Sequence, residues 1–407
     1  MTHATLTPRK AAGITAVLGL LSLFPPLATD MYLAGLGDIA EALHTSERAT
    51  DLSLSIFFLG LCLGQFIVGP LIDSLGRKGP LLAATTLFIV TSLALILVQD
   101  IIVFNALRFL QALGACGGMV VGRAVVNDLY EGRQAAKVMT ILVMLLTIGP
   151  IVSPTLGSLL LEAFGWRSIF IVMMIVGVIA FVLSVIVMPE TLARENRVKS
   201  PFRSGFKTAV ALLERREFVV PALTAGLVQG GMFAFITGSS GVFQGVFQGV
   251  FGLSALTYGL MFAAIATALL IFGQINTRLL NHFSPDRILK AGLPFYVAFS
   301  LLATVLSGTQ TLWIFITPLW FAIGTVGLLS ANAMHIAMAS ARGTAGIGSA
   351  VLGAMQFGIA FTVSSCVALG GTQTPLPMTL GLLLPAIASF VLSVKFSEQR
   401  QPDDILV

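Results

Sequence analysis

Residues 69–82 read GPLIDSLGRKGPLL, a short turn carrying one acid and two bases between prolines and apolar residues. It joins two apolar stretches, about 52–72 and 79–98, each close to the ~20 residues that carry a helix across a bilayer. A charged hairpin between two such stretches is what a polytopic chain places at a membrane surface. Working outward, ten further stretches of the same kind follow, at about 12–37, 101–122, 138–160, 168–188, 218–240, 254–273, 288–307, 311–334, 345–368 and 376–396. One longer polar segment, from Pro189 to Glu217, falls after the sixth. The expected fold is an all-α membrane protein of twelve transmembrane helices in two six-helix bundles, residues 1–188 and 218–407, joined by a basic linker at 189–217.

Composition agrees with that reading. Of 407 residues, 56% are apolar and only 10% charged, with a mean hydropathy of +0.96; a soluble domain carries about 25% charged residues. A soluble enzyme and a disordered chain are excluded. Cys62, Cys116 and Cys366 lie in apolar runs and are odd in number, so a secreted disulfide scaffold is excluded too. Arg9 and Lys10 precede an apolar stretch that runs to about Leu36. That is too long for a signal-peptide core, and the stretch is expected to be a retained first span.

With the N-terminus inside, the 23 Lys and Arg divide into 20 cytoplasmic, two external (Arg48 and Arg167) and one intramembrane (Arg108). Such a bias fixes orientation and supports the span count, since one missed helix would invert every later loop. The net charge of +5 is therefore spread over inner loops, with no aromatic-interleaved patch for nucleic acid.

Two repeats stand out. The connection after the eighth span, GQINTRLLNHFSPDRIL at 273–289, faintly echoes the 69–82 turn, as duplication of a six-span half predicts. Residues 241–252 read GVFQGVFQGVFG. In a helix Gly241, Gly245 and Gly249 would form a close-packing stripe; expansion within an external loop is the expected reading.

Of the 18 acidic residues, 17 fall in or beside loops. The exception is Asp30 in the first span, and Arg108 in the fourth is its basic counterpart. Asp30 lies eight residues before Asp38 and Arg108 eight after Asp100, which places both about 12 Å below the external edge at ~1.5 Å per residue. Two opposite charges at one depth can meet across a cavity. One reading is an ion pair that fixes helix packing; the other, expected here, is a titratable carboxylate beside a permanent cation, suited to proton coupling. Around them Tyr32, Asn105, Gln111, Gln65, Gln229 and Gln356 could line a cavity or simply bond neighbouring helices. Phe57, Phe58, Phe233 and Phe235 would suit a lipophilic substrate or serve packing. No Walker-type loop, no G-x-S-x-G elbow and no ligand spacing among His3, His44, His282 and His335 appears. No enzyme, metal or cofactor is expected, and the proton is the coupling ion.

The motifs also carry a resemblance. The 69–82 turn resembles the loop between spans two and three of the major facilitator superfamily, with Gly69, Asp73, Gly76, Arg77 and Lys78 at its defining positions. LRFLQALGACGG (107–118) is similar to the superfamily's fourth-span motif, matched at Arg108, Gln111 and Gly114. TIGPIVSPTLGSLL (147–160) is similar to its antiporter motif, matched at Gly149, Pro150 and Gly157. ATDMYLAGLGDIA (28–40) resembles the first span of the bicyclomycin and chloramphenicol resistance subfamily of drug:proton antiporters, although Ala34 and Gly37 stand where prolines are usual. The resemblance implies a cavity between two bundles that opens alternately to either side. It implies Asp30 as the proton- and substrate-responsive carboxylate, Arg108 as its coupling partner, Asp73 and Arg77 in a cytoplasmic latch, and Gly149, Pro150 and Gly157 in an antiporter helix. The expected function is proton-coupled efflux of small lipophilic drugs by a monomer in the bacterial inner membrane, both termini cytoplasmic. A metabolite carrier of the same fold and a non-transporting receptor are the alternatives.

Overall fold

The computed structural model describes residues 8–130, 132–197, 201–246, 253–341, 344–371 and 374–400, and among them every regular element is helical. The first half comprises α1 (Pro8–Ser22), α2 (Phe24–Asp30) and α3 (Leu36–Ala42), which together make the first span, then α4 (Glu47–Leu75), α5 (Lys78–Leu97), α6 (Ile101–Leu129), α7 (Gly132–Phe164) and α8 (Arg167–Val187). The linker holds α9 (Pro201–Leu213). The second half comprises α10 (Arg216–Ser240), α11 (Ala255–Leu279), α12 (Pro285–Val305), α13 (Leu312–Ser340), α14 (Ala345–Gly370) and α15 (Leu376–Arg400). Twelve helical stretches are long and apolar enough to cross a membrane.

Short loops set the helix boundaries through local chemistry. Asp100 accepts from the backbone N–H groups of Ile102 and Val103 at 2.8 and 3.0 Å, starting α6. Ser254 starts α11, accepting from Thr257 N–H, and Ser284 followed by Pro285 starts α12. Inside the spans, Thr85 and Ser92 donate to carbonyls one turn back, so the hydroxyls need no water. Large apolar side chains such as Leu97, Ile102, Phe164, Ile186 and Trp313 face outward, as a lipid-facing surface requires.

Within each half, neighbouring spans pack closely: α4 and α5 against α6 and α5 against α8 in the first, α10 and α12 against α13 and α15 in the second. The halves meet along two seams, α4 with α14 and α7 with α11. One face of α4, at residues 58, 62 and 65, looks across to the second half. Phe58 meets Phe233 there, Cys62 Sγ donates to the Ala354 carbonyl at 3.2 Å, and Gln65 lies against Gly353. In the other seam, Thr155 Oγ1 donates to the Gly259 carbonyl at 3.2 Å and Glu162 accepts from Leu256 N–H at 2.9 Å. Gln244 Nε2 reaches the Ala34 carbonyl at 3.2 Å. These last three bonds lie toward the face opposite the 69–82 turn, called here the far face. Toward the turn, a Cβ on Gly69 or Gly346 would meet nothing within 4 Å. There α9 packs against α4, α10 and α14, and Arg123 Nη1 donates to Ser349 Oγ at 3.4 Å.

Four boundaries differ from the sequence expectation. The first span is broken: Leu23 interrupts it, and after Asp30 the chain passes through Met31 and Tyr32 into a 3-10 turn (Leu33–Gly35). α4 begins five residues before its apolar run, placing Asp51 inside the helix, and α6 continues to Leu129, placing Arg123 inside it rather than in a loop. The start of the GVFQ repeat is a π-helical continuation of α10 (Gly241–Val246), not a loop. Gly245 has open space beside it, so no close-packed glycine stripe forms there; residues 247–252 lie outside the described residues.

Candidate functional site

The break in the first span creates the site. α2 ends at Asp30, leaving carbonyls of its last turn without intrahelical partners. Arg108 on α6 fills that vacancy: its Nη2 donates to the Ala28 carbonyl at 2.6 Å and its Nη1 to Gln111 Oε1. A cation at a helix C-terminus also meets the negative end of the helix dipole. The guanidinium is fully buried and lies between the rings of Tyr32, 4.2 Å from its centroid, and Phe57, 4.5 Å from its centroid. Cation–π contact therefore offsets part of the hydration lost on burial. Gln111 is tied by its own Nε2 to Ser92 Oγ at 2.8 Å, and the Tyr32 hydroxyl is hydrogen-bonded to Ser53 Oγ at 3.0 Å.

Asp30 and Arg108 thus share a depth but do not pair. Asp30 is 1% exposed, its Oδ1 has no partner, and no ion pair joins it to Arg108. The two Nη groups of Arg108 are instead taken by the Ala28 carbonyl and Gln111 Oε1, while its Nε is buried without a partner, and the helix unwinds just after Asp30. Asp30 lies instead within Coulombic reach of Tyr258 on α11, in the second half, whose hydroxyl is 2.8 Å from Ser239 Oγ.

The remaining candidates separate into groups. Phe58 and Phe233 come together with ring centroids 4.4 Å apart, and Phe357 adjoins them, so these rings fill the space between the halves. Phe235 stacks on Phe262 instead. Asn105 donates to the Ala49 carbonyl at 3.4 Å and leaves its Oδ1 unpartnered. Gln65 and Gln356 are buried with unpartnered Nε2 groups on the two sides of the α4–α14 seam, and Gln229 is half-buried on α10. Gly149 and Gly157 press α7 onto the broken span: a Cβ would meet the Pro26 ring at the first and the Met31 carbonyl at the second. Pro150 lies within α7 between them.

At the 69–82 turn, Arg77 joins α4, α6 and the start of the linker. Its Nη1 donates to Asp73 at 2.7 Å, its Nε to Asp128 at 2.9 Å, and its backbone N–H to Glu190 at 2.8 Å. Thr191 adds a bond to Asp128, and Lys78 Nζ donates to the Val185 carbonyl. Gly76 has φ +99°, and a side chain there would enter the Glu190–Arg197 pair. Burial works against the Arg77 charge but the two aspartates outweigh it and hold its pKa above the usual range. Partial burial pushes Glu190 up, but the backbone N–H groups of Arg77, Leu192 and Lys78, with the Arg197 charge, bring it below the usual carboxylate range. The network ties the first half to the start of the linker and, among the described residues, makes no bond to the second half.

Sequence reading missed Asp51, Arg123 and the Arg77 partners Asp128 and Glu190. The α4 face repeat carried a signal for Asp51, since Asp51, Ser55, Phe58, Cys62 and Gln65 follow one another at helical spacing.

Comparison with known proteins decides the family. The Major Facilitator Superfamily profile matches residues 18–365. The chain belongs to that superfamily. Its members are transporters, not enzymes. The chain is 31% identical over 396 residues to a Bacillus subtilis (strain 168) protein described as an uncharacterized MFS-type transporter, covering 97% of this chain and 98% of the relative. It is 28% identical to a bicyclomycin resistance protein homolog of Haemophilus influenzae, covering 94% and 96%. The solved D-xylose-proton symporter has the same fold, with a TM-score of 0.75 at 13% identity over 94% of this chain and 96% of that one.

Proposed function

We propose that this transporter exports small lipophilic drugs in exchange for protons, with Asp30 as the coupling carboxylate. The observation that carries the reading is a buried Asp30 whose Oδ1 lacks any partner, at a break in the first span and beside the seam between the halves. An intramembrane carboxylate is retained where it pairs or where it works, and this one has no ion pair. The aromatic contact of Phe58, Phe233 and Phe357 offers apolar surface that separation of the halves would uncover. The bicyclomycin resistance relative supports a drug as the cargo.

The basic turn face is cytoplasmic, the far face external, both termini are inside, and the protein works as a monomer in the inner membrane. With the turn side accessible, drug enters from the cytoplasm or inner leaflet and Asp30 gives up its proton inward. With the far side accessible, Asp30 takes an external proton and drug leaves. Arg108 holds the broken span in register, and Tyr32, Phe57, Asn105, Gln111 and Gln229 surround or support the path. The membrane potential contributes ~2.3 kcal/mol per charge per 100 mV.

The test is drug-induced proton movement in everted vesicles bearing the parent protein or Asp30→Asn, scanned over phenicols, bicyclomycin and lipophilic cations. Proton release from the lumen with one class, abolished in Asp30→Asn, is the expected result. Silence across the panel from folded, inserted protein would turn the reading toward a metabolite carrier.

A further inference from the structure

A cavity of about 330 Å³ opens between the halves at the far face. The first half contributes Asp38, Glu47, Asp51 and Glu162 to its wall; the second contributes Ser240 and Gln244. Among the described residues no Lys, Arg or His lines it. Glu162 is occupied by the Leu256 N–H. Asp51 differs from the others: it is 3% exposed, lies one turn after Glu47, and has neither a hydrogen bond nor an ion pair among the described residues. Among the described residues no group of acids, histidines and cysteines is placed to hold a metal ion.

We propose that Asp51 is a second proton-binding carboxylate, loaded from water on the far face, and that the far-face seam closes over it only in its neutral form. The proposal rests on the orientation given under the proposed function. It adds a site that the coupling role of Asp30 does not require.

The argument is one of charge and access. In the closed arrangement Gln244 spans the cavity mouth, bonding the Ala34 carbonyl across the seam and the Ser240 hydroxyl on its own side. An ionised Asp51, 3% exposed on that wall, would then be almost wholly withdrawn from water with no Lys, Arg or His among the described lining residues. A buried, unpaired carboxylate is strongly disfavoured, whereas a carboxylic acid is tolerated. Separation of the halves floods the cavity and removes that penalty. The closed form therefore holds this proton more tightly than the open form. By linkage, a falling external pH favours closure and a rising pH favours opening.

The surrounding charges do not reverse this. On its own helix Asp51 has Glu47, a further negative neighbour, and Arg48, which lies against Gly371 at the end of α14. Facing elements bring Asp38 from α3, Tyr32 and Asp30 from the break, Glu162 from α7 and Tyr258 from α11; Arg108 of α6 is held by Ala28, Gln111 and two rings. The titratable groups of α10, Arg216 and Glu217, lie in its first turn, at the end away from the cavity; its π turn has none, and α14 has only Cys366, which is exposed.

The experiment reads far-face access in membranes without any substrate. Cys62→Ser, Cys116→Ala and Cys366→Ser remove the native thiols. Ser240→Cys then reports the cavity and, in a second protein, Gly37→Cys reports the exposed rim. Labelling by an impermeant maleimide from the far face, expressed as the ratio of cavity to rim, cancels the pH dependence of the thiol chemistry. With Asp51 present the ratio rises from pH 6 to pH 8, by at most about tenfold per pH unit for a single proton. Asp51→Asn makes it flat, at the low value, and Asp51→Glu restores the rise. An unchanged rise in Asp51→Asn, or a flat profile with Asp51 present, overturns the proposal. Asp30→Asn runs in parallel. A rise lost there and kept in Asp51→Asn places the gating proton on Asp30, overturning this proposal while leaving drug:proton exchange intact. Failure of drug exchange in everted vesicles, with the Asp51 profile as expected, overturns the exchange reading alone.

Discussion

Arg108→Lys tests whether the site needs a positive charge or a guanidinium. The parent side chain makes two directed bonds, to Ala28 O at 2.6 Å and to Gln111 Oε1, and stacks between two rings at 4.2 and 4.5 Å. One ammonium cannot fork to both acceptors while keeping a planar face to both rings. Leaving one buried acceptor without its donor costs about 1–3 kcal/mol, and losing part of the stack costs about 0.5–2 kcal/mol. A central value of ~3 kcal/mol corresponds to roughly a hundredfold shift in the equilibrium that keeps the break ordered. The assay is a melting curve of purified protein in detergent together with uphill drug export from vesicles. Gln111→Leu and the double variant complete a cycle. The single variants should each lower both readouts, and the double should fall short of their sum, because Gln111 acts through Arg108. Arg108→Lys with an unchanged melting temperature and export within about twofold of the parent would refute the reasoning, leaving charge alone as the requirement.

Other variants probe separate joints. Gly157→Ala drives a methyl into the Met31 carbonyl, a backbone obstacle that cannot rotate away, and should cost about 1–3 kcal/mol in the melt, while Gly273→Ala, with open space beside it, should be neutral or mildly stabilising. Gly76→Ala, at φ +99° and facing Glu190, should cost at least ~1 kcal/mol and loosen the turn, seen as faster proteolysis at the 69–82 loop. Glu190 is held below its ordinary pKa, so its contribution is complete above the unfolded value of about 4.3 and fades as pH falls through the lower folded value. Melting curves from pH 7 down to pH 3 should show an acid-sensitive component that Glu190→Gln lacks.

The architecture was legible because hydropathy reports whole spans: the 69–82 turn, the charge bias of the loops and the lone acid in the first span all survive errors of several residues. The site was legible only in part. Residue spacing gives the height of Asp30 and Arg108 in the membrane but not the direction each faces, and the unwinding at Met31 and Tyr32 rotates the chain between them. Asp51 and Arg123 escaped for a different reason. Apolar runs mark the slab that lipid covers, whereas α4 and α6 extend beyond it in polar turns that are buried by protein. The glycine repeat misled because loop-like composition continues a helix there through a π turn.

The two halves are joined by few and soft bonds. Cys62 to Ala354, Thr155 to Gly259, Gln244 to Ala34, Glu162 to Leu256 and Arg123 to Ser349 cross between them, and among the described residues no ion pair does. Each such bond is worth only about 0.5–1.5 kcal/mol net, and water replaces it when the seam parts. A ligand that binds one arrangement of the halves better than another then has little directed bonding to overcome. A seam laced with ion pairs would have made a stable protein that stays shut.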